Sequence, residues 1–182
     1  MKMNTTLLSI LLVLSAVLSR IVCAEVAAFN FAPIVAIGLI SGMLVKNVKH
    51  AFLIALLGQF VADIYFEIFK TAGNVGFYGT AQLFVYAGLI FATMSGRIFN
   101  RVNVQNVFGG TLIASFLFFV VSNLGVYLSG YYGYTWQGFV QNYVNAIPFF
   151  KNSLIADMAA SALFFGLYFT FKPLLKNKLA TA

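Results

Sequence analysis

The side chains able to do chemistry in this chain are few, and they interrupt long apolar runs. Arg20, Glu25, Asp63, Glu67 and Asp157 carry charge, and Asn30, Asn123, Asn142 and Asn145 carry amides. Asp63 and Glu67 stand four residues apart, which on a helix places both on one face. Such acids can serve as general acids, bases or metal ligands, but no partner for that chemistry accompanies them. One histidine, His50, and one cysteine, Cys23, leave neither a His cluster nor a Cys-based metal site. No H-E-x-x-H pattern occurs, and no serine or cysteine has an evident base. The expectation is therefore not an enzyme, and no metal or other cofactor. Ion pairing and hydrogen bonding remain, among these groups or to a bound solute.

The elements that must position them follow from the solvent. Of 182 residues, 62% are hydrophobic and 8% charged, where a soluble domain carries roughly 25% charged residues. So few polar groups cannot cover so apolar a core in water, and the surrounding solvent is lipid. The net charge of +7 sits in short clusters between apolar runs, with no basic face or aromatic-basic motif, so no nucleic acid is expected as a partner. Without an internal repeat or a polar linker, residues 1–182 read as a single transmembrane domain.

Crossing about 30 Å of hydrocarbon takes roughly 20 helical residues. Six runs qualify: Thr5–Ala24, Phe31–Val48, Lys49–Phe69, Thr80–Gly96, Phe108–Ser129 and Ser153–Phe171. None alternates with period two, which argues against a β-barrel. The expected fold is an all-α integral membrane protein, a six-transmembrane-helix bundle. Asn30 is placed to cap helix 2 with Pro33 in its first turn, Pro148 to close the connection before helix 6, and Pro173 to limit that helix. Gly38 and Gly42 form a small-xxx-small packing signal.

The bias of Lys and Arg sets the orientation. With the N-terminus cytoplasmic, Lys2, Lys46, Lys49, Arg97, Arg101, Lys172, Lys176 and Lys178 face the cytoplasm, against Lys70 and Lys151 outside. Both termini are expected in the cytoplasm, and the chain in the cell inner (cytoplasmic) membrane as a multi-pass protein. The first 24 residues also resemble a signal peptide, with Val22 and Ala24 spaced like a cleavage site, and cleavage would leave five helices. Arg20 is out of place in such a peptide, which favours an uncleaved first helix. In this orientation Arg20 and all four acids fall in the outer half of the bundle. Charges in hydrocarbon face the bundle interior or a wet cavity, so an outward-opening pocket is expected. Pairing of Arg20 with Asp63 or Asp157 as a structural ion pair is the plainer alternative.

The stretch from Gly130 to Lys151 is too long for a tight hairpin. Trp136, Phe139, Val140, Tyr143, Val144 and Ile147 recur at helical spacing, with Gln137, Gln141, Asn142 and Asn145 mainly opposite. A short amphipathic outer helix between helices 5 and 6 is expected. Its amides, with Tyr131, Tyr132, Tyr134, Trp136 and Tyr143, suit a ligand with a flat polar ring. An aromatic belt at the interface is the alternative reading.

Four blocks carry a family resemblance: "NFAPIVAI" at Asn30–Ile37, "QFVAD" ending at Asp63, "SNLGVYL" at Ser122–Leu128, and "YVNAIPFFKNSLIAD" at Tyr143–Asp157. They resemble the recurring blocks of a bacterial membrane family labelled as substrate-binding (S) components of energy-coupling-factor transporters. The likeness covers most of Arg20–Gly166. Tyr127 stands where tryptophan is expected, and Asn142 where cysteine is frequent. The resemblance implies a six-helix bundle that captures a vitamin-like molecule from outside and works with a transmembrane coupling protein and ATPase subunits. The chain has no Gly-rich phosphate loop of its own. The residues expected to bind substrate are Arg20, Asn30, Asp63, Glu67, Asn123, Tyr127, Trp136, Asn142, Tyr143, Asn145 and Asp157. Membrane lipid is the other expected partner. A structural or assembly role, with the polar groups as bundle glue, and an intramembrane enzyme are the competing readings.

Overall fold

The computed structural model describes residues 5–28, 30–69, 76–99 and 101–180. Lys2 and Lys70, which enter the orientation argument, lie outside them. Among the described residues there are six helices and no strand: α1 (Thr5–Glu25), α2 (Ile34–Leu44), α3 (Val48–Phe69), α4 (Thr80–Ile98), α5 (Val104–Leu128) and α6 (Trp136–Ala180). All but α2 are long and apolar enough to cross a membrane. Many of their large apolar residues point outward, among them Leu11, Leu18, Leu57, Leu83, Phe116 and Leu163. Lipid is the solvent in which that surface costs nothing.

Helix α2 departs most from the expected span. Its 11 residues extend about 16 Å at 1.5 Å per residue, short of the hydrocarbon thickness. It lies at the centre of the bundle instead, touching each of the other five helices. Ile34 through Gly42 are all buried, and Val35, Ile37, Leu39 and Ile40 pack with Leu12, Ala55, Leu89, Ala114 and Phe165. An unbroken apolar run therefore reads here as a helix buried on every side. Asn30 does not cap it. Pro33 takes the N-cap position, without a side-chain hydrogen bond. Asn30 sits at φ 58°, a left-handed conformation that asparagine tolerates better than most residues.

Small residues make the tight crossings. A Cβ on Gly42 would collide with the Thr93 carbonyl, and one on Gly96 with the Leu39 carbonyl, so α2 and α4 meet backbone to backbone. Gly38 faces Ala92 on the same seam, which gives the Gly38–Gly42 signal its partner. Gly58 of α3 meets Ala16 of α1 in the same way.

The separate outer helix before helix 6 is not separate. Residues 136–180 form one 45-residue helix, through Pro148, whose missing N–H leaves the Val144 carbonyl without its helical donor, and through Pro173. The orientation of its first turns also differs from the amphipathic reading. Gly138, Asn142 and Ala146 are buried, while Val140, Val144 and Ile147 are exposed. In lipid the large apolar side chains gain nothing by turning inward, and small or amide residues let helices approach. The first half of α6 is tied to α5 by Asn142 Nδ2 to the Asn123 carbonyl at 2.9 Å and by Tyr143 Oη to the Val120 carbonyl at 2.8 Å.

Candidate functional site

The C-terminal parts of α1, α3 and α5, the N-terminal ends of α2 and α4, and the middle of α6 converge at one end of the bundle. They enclose a cavity of about 400 Å³. Its polar lining includes Arg20, Asn30, Gln59, Ser122, Asn123 and Asp157; its walls are largely aromatic, with Phe66, Tyr78, Phe118, Phe119, Phe149 and Phe150.

Arg20 enters from α1. Its Nη1 donates to Asp63 Oδ1 at 2.7 Å and to the Gln59 carbonyl at 3.0 Å, and its guanidinium lies 5.2 Å from the centre of the Phe66 ring. The ion pair expected from sequence thus forms with Asp63. Among the described residues no partner engages Nε or Nη2.

Asp63 is 0% exposed and does not line the cavity. It is the acceptor hub behind it. Gln59 Nε2 donates to both its oxygens, at 3.1 and 3.2 Å. Gln82 Nε2 and Tyr86 Oη reach Oδ2. Gln59 is one helical turn before Asp63, and Gln82 and Tyr86 are one turn apart on α4, so helical periodicity aims all three at one point. A carboxyl group with this many donors is fixed in one orientation. Tyr78, just before α4, joins the network by accepting from Gln59 at 3.3 Å. The residue is 37% exposed, but burial around its hydroxyl, and then the neighbouring Asp63, push that hydroxyl up to about 12. It stays neutral throughout the physiological range.

Asp157 occupies the other side and does not meet Arg20. Its Oδ1 accepts from the Ala36 N–H at 3.0 Å and its Oδ2 from Ser115 Oγ at 3.0 Å. Ala36 lies in the first turn of α2. Asp157 therefore supplies in trans the cap that Pro33 cannot, its oxygen accepting at the start of α2. One turn earlier on α5 and one turn later on α6, Thr111 Oγ1 and Ser161 Oγ are 2.8 Å apart, so α5 and α6 are joined by a polar seam. Ser153 Oγ donates to the Asn30 carbonyl at 3.0 Å and holds the α1–α2 connection against α6.

Of the residues expected to bind substrate, Arg20, Asn30, Asn123 and Asp157 line the cavity and Asp63 backs it. The others are elsewhere. Asn142 is 2% exposed behind the wall, with its Oδ1 buried and unpartnered. Tyr143 donates to backbone. Tyr127 packs edge-on to Tyr134 and Phe139, and Trp136 is 76% exposed, stacked on Phe139. Glu67 and exposed Asn145 do not line the cavity. The aromatic ladder from Trp136 through Phe139, Tyr143 and Phe119 reaches the cavity only at Phe119 and Phe150. Phenylalanines, with Tyr78, form the walls where tyrosines and the tryptophan of the connection were expected. Gln59, Gln82, Tyr86 and Ser115 were missed, although polar residues one turn from an intramembrane acid, or opposite it, were the available signal.

The model of a family of unknown function (DUF6580) matches residues 1–179. No curated protein and no solved structure matches the chain.

Proposed function

The chain belongs to DUF6580, a family of unknown function, and on that premise we propose that it is a membrane substrate-binding component that captures a small vitamin-like or heterocyclic solute. The observation that carries this reading is the cavity at one end of the bundle. Its 400 Å³ falls within the range of small-molecule sites, about 300–1,000 Å³, which pair apolar walls with a few convergent polar groups.

The chemistry of the lining narrows the solute. Arg20 is neutralised by Asp63 at 2.7 Å, and both oxygens of Asp157 are engaged by Ala36 and Ser115. Neither charge is left to pair with a fully charged ligand. The groups that remain are neutral or outward-facing parts of paired ones: Asn30, Ser122, Asn123 and the Nη2 edge of Arg20. A planar, uncharged or weakly acidic ring between the phenylalanine walls satisfies them, stacking on ring faces and hydrogen-bonding at its edge.

The Lys and Arg bias supports the cavity opening to the outside of the inner membrane, with both termini cytoplasmic. The chain carries no G-x-x-x-x-G-K-[ST] loop, so energy for uptake would come from a separate coupling protein and ATPase subunits, as the resemblance to energy-coupling-factor S components implies. The function is binding, without turnover.

Melting of the purified protein in detergent against a panel of vitamins and nucleobases tests this. A raised melting temperature with at least one planar heterocycle, abolished in Ser122→Phe, is the expected result. A panel that leaves melting unchanged, with no small molecule retained through gentle purification, overturns it.

A further inference from the structure

A second cavity, of about 650 Å³, lies between the first halves of α1 and α3, at the end of the bundle away from the solute site. Ile10 and Leu14 form one wall and Leu53 and Leu57 the other, while Lys46 and His50 stand at its mouth. From Thr6 to Leu14 the groove runs about 12 Å along α1, at 1.5 Å per residue. The four long apolar residues are exposed or line the opening toward the outside of the bundle, so in a membrane the groove is filled by lipid.

The charges at this end select which lipid. Lys46, Lys49 and His50 are exposed at the α2–α3 turn. All four acids of the sequence, Glu25, Asp63, Glu67 and Asp157, belong to the second half of α1, the second half of α3 and the middle of α6, toward the opposite end. No acid therefore competes at the groove mouth for an anionic group, and Lys46 and His50 offer N–H donors to a phosphate. We infer that this groove is a binding site for an anionic phospholipid, with one acyl chain along Ile10, Leu14, Leu53 and Leu57 and the headgroup phosphate at Lys46 and His50. By the Lys and Arg bias this end faces the cytoplasmic leaflet, whose negative surface potential attracts such clusters. The site is independent of the solute cavity.

Reconstitution of the full chain in nanodiscs of mixed phosphatidylglycerol and phosphatidylcholine, followed by native mass spectrometry of the lipid retained on ejection, tests the assignment. The wild-type chain is expected to retain phosphatidylglycerol in excess of its bulk fraction. The Lys46→Gln, His50→Gln double variant is expected to lose that preference by at least about fivefold, the effect of the one lysine charge removed near the surface. Arg101→Gln, an exposed residue at the same end but on the α4–α5 connection, is expected to keep it. Equal retention of the two lipids by the wild-type chain overturns the site. So does an equal loss in Arg101→Gln, which would make the preference a diffuse effect of the basic end. Ile10→Trp, which fills the groove without touching charge, is expected to lower the number of retained lipids of both kinds, and an unchanged number overturns the acyl-chain placement.

Discussion

Asp157 and Arg97, sixty residues apart on α6 and α4, hold the two ends of the same helix. Asp157 Oδ1 accepts from the Ala36 N–H at the start of α2, and Arg97 Nη2 donates to the Val45 carbonyl at its C-cap, at 2.7 Å. The first turn of α2 and Val45 at its C-cap are buried, so their orphan N–H and C=O groups find partners on neighbouring elements. The guanidinium at the negative end also matches the dipole. The element nearest the cavity is thus positioned by side chains of the helices around it.

Asp157→Ala leaves the Ala36 N–H and Ser115 without their acceptor and should destabilise the bundle by about 1–3 kcal/mol. Asp157→Asn keeps one acceptor oxygen and should cost less. Thermal melting in detergent ranks the two, and an alanine variant as stable as wild type would remove the capping role.

The Arg20–Asp63 pair calls for a double-mutant cycle. Arg20→Gln strands the buried Asp63, at a cost of about 3–5 kcal/mol, while Asp63→Asn leaves Arg20 at the cavity edge and should cost less. The double variant should cost clearly less than the sum. Additive losses, measured by unfolding in detergent, would show that the two do not act as a pair.

At the α2–α4 crossing there is no space for a methyl group. Gly42→Ala and Gly96→Ala should each lower the melting temperature, by an amount typical of overpacking, about 1–3 kcal/mol. Gly109→Ala and Gly166→Ala meet nothing within 4 Å, and should be neutral or stabilising by up to about 1 kcal/mol through helix propensity. The contrast between the two pairs is the check.

Cys23, the one cysteine of the chain, lines the solute cavity. A membrane-impermeant maleimide should label it in intact cells, more slowly in Ser122→Phe. Labelling restricted to inside-out vesicles would reverse the orientation.

Part of the site could be seen in the sequence. Arg20, Asp63, Asn123 and Asp157 stood out because each is costly in an apolar helix, and cost implies a shared interior. Gln59 and Gln82 carry no charge, so nothing local distinguishes them, although both donate to Asp63 beside Arg20. Amphipathicity with water on one side predicts a separate outer helix, whereas residues 136–180 form one helix in the structure. In lipid the seam of Gly138, Asn142 and Ala146 is the buried face and the large apolar residues are the outer one.

The sequence by itself determined the solvent, the helical class and the clustering of charge toward one end, since these depend on composition and on 3.6-residue periodicity, both local quantities. Only the tertiary structure decided that α2 is a central buried helix and not a span, that Arg20 pairs with Asp63 while Asp157 caps Ala36, and that phenylalanines wall the cavity. Those outcomes depend on which helices are neighbours, and an apolar run carries the same local pattern whether lipid or another helix surrounds it.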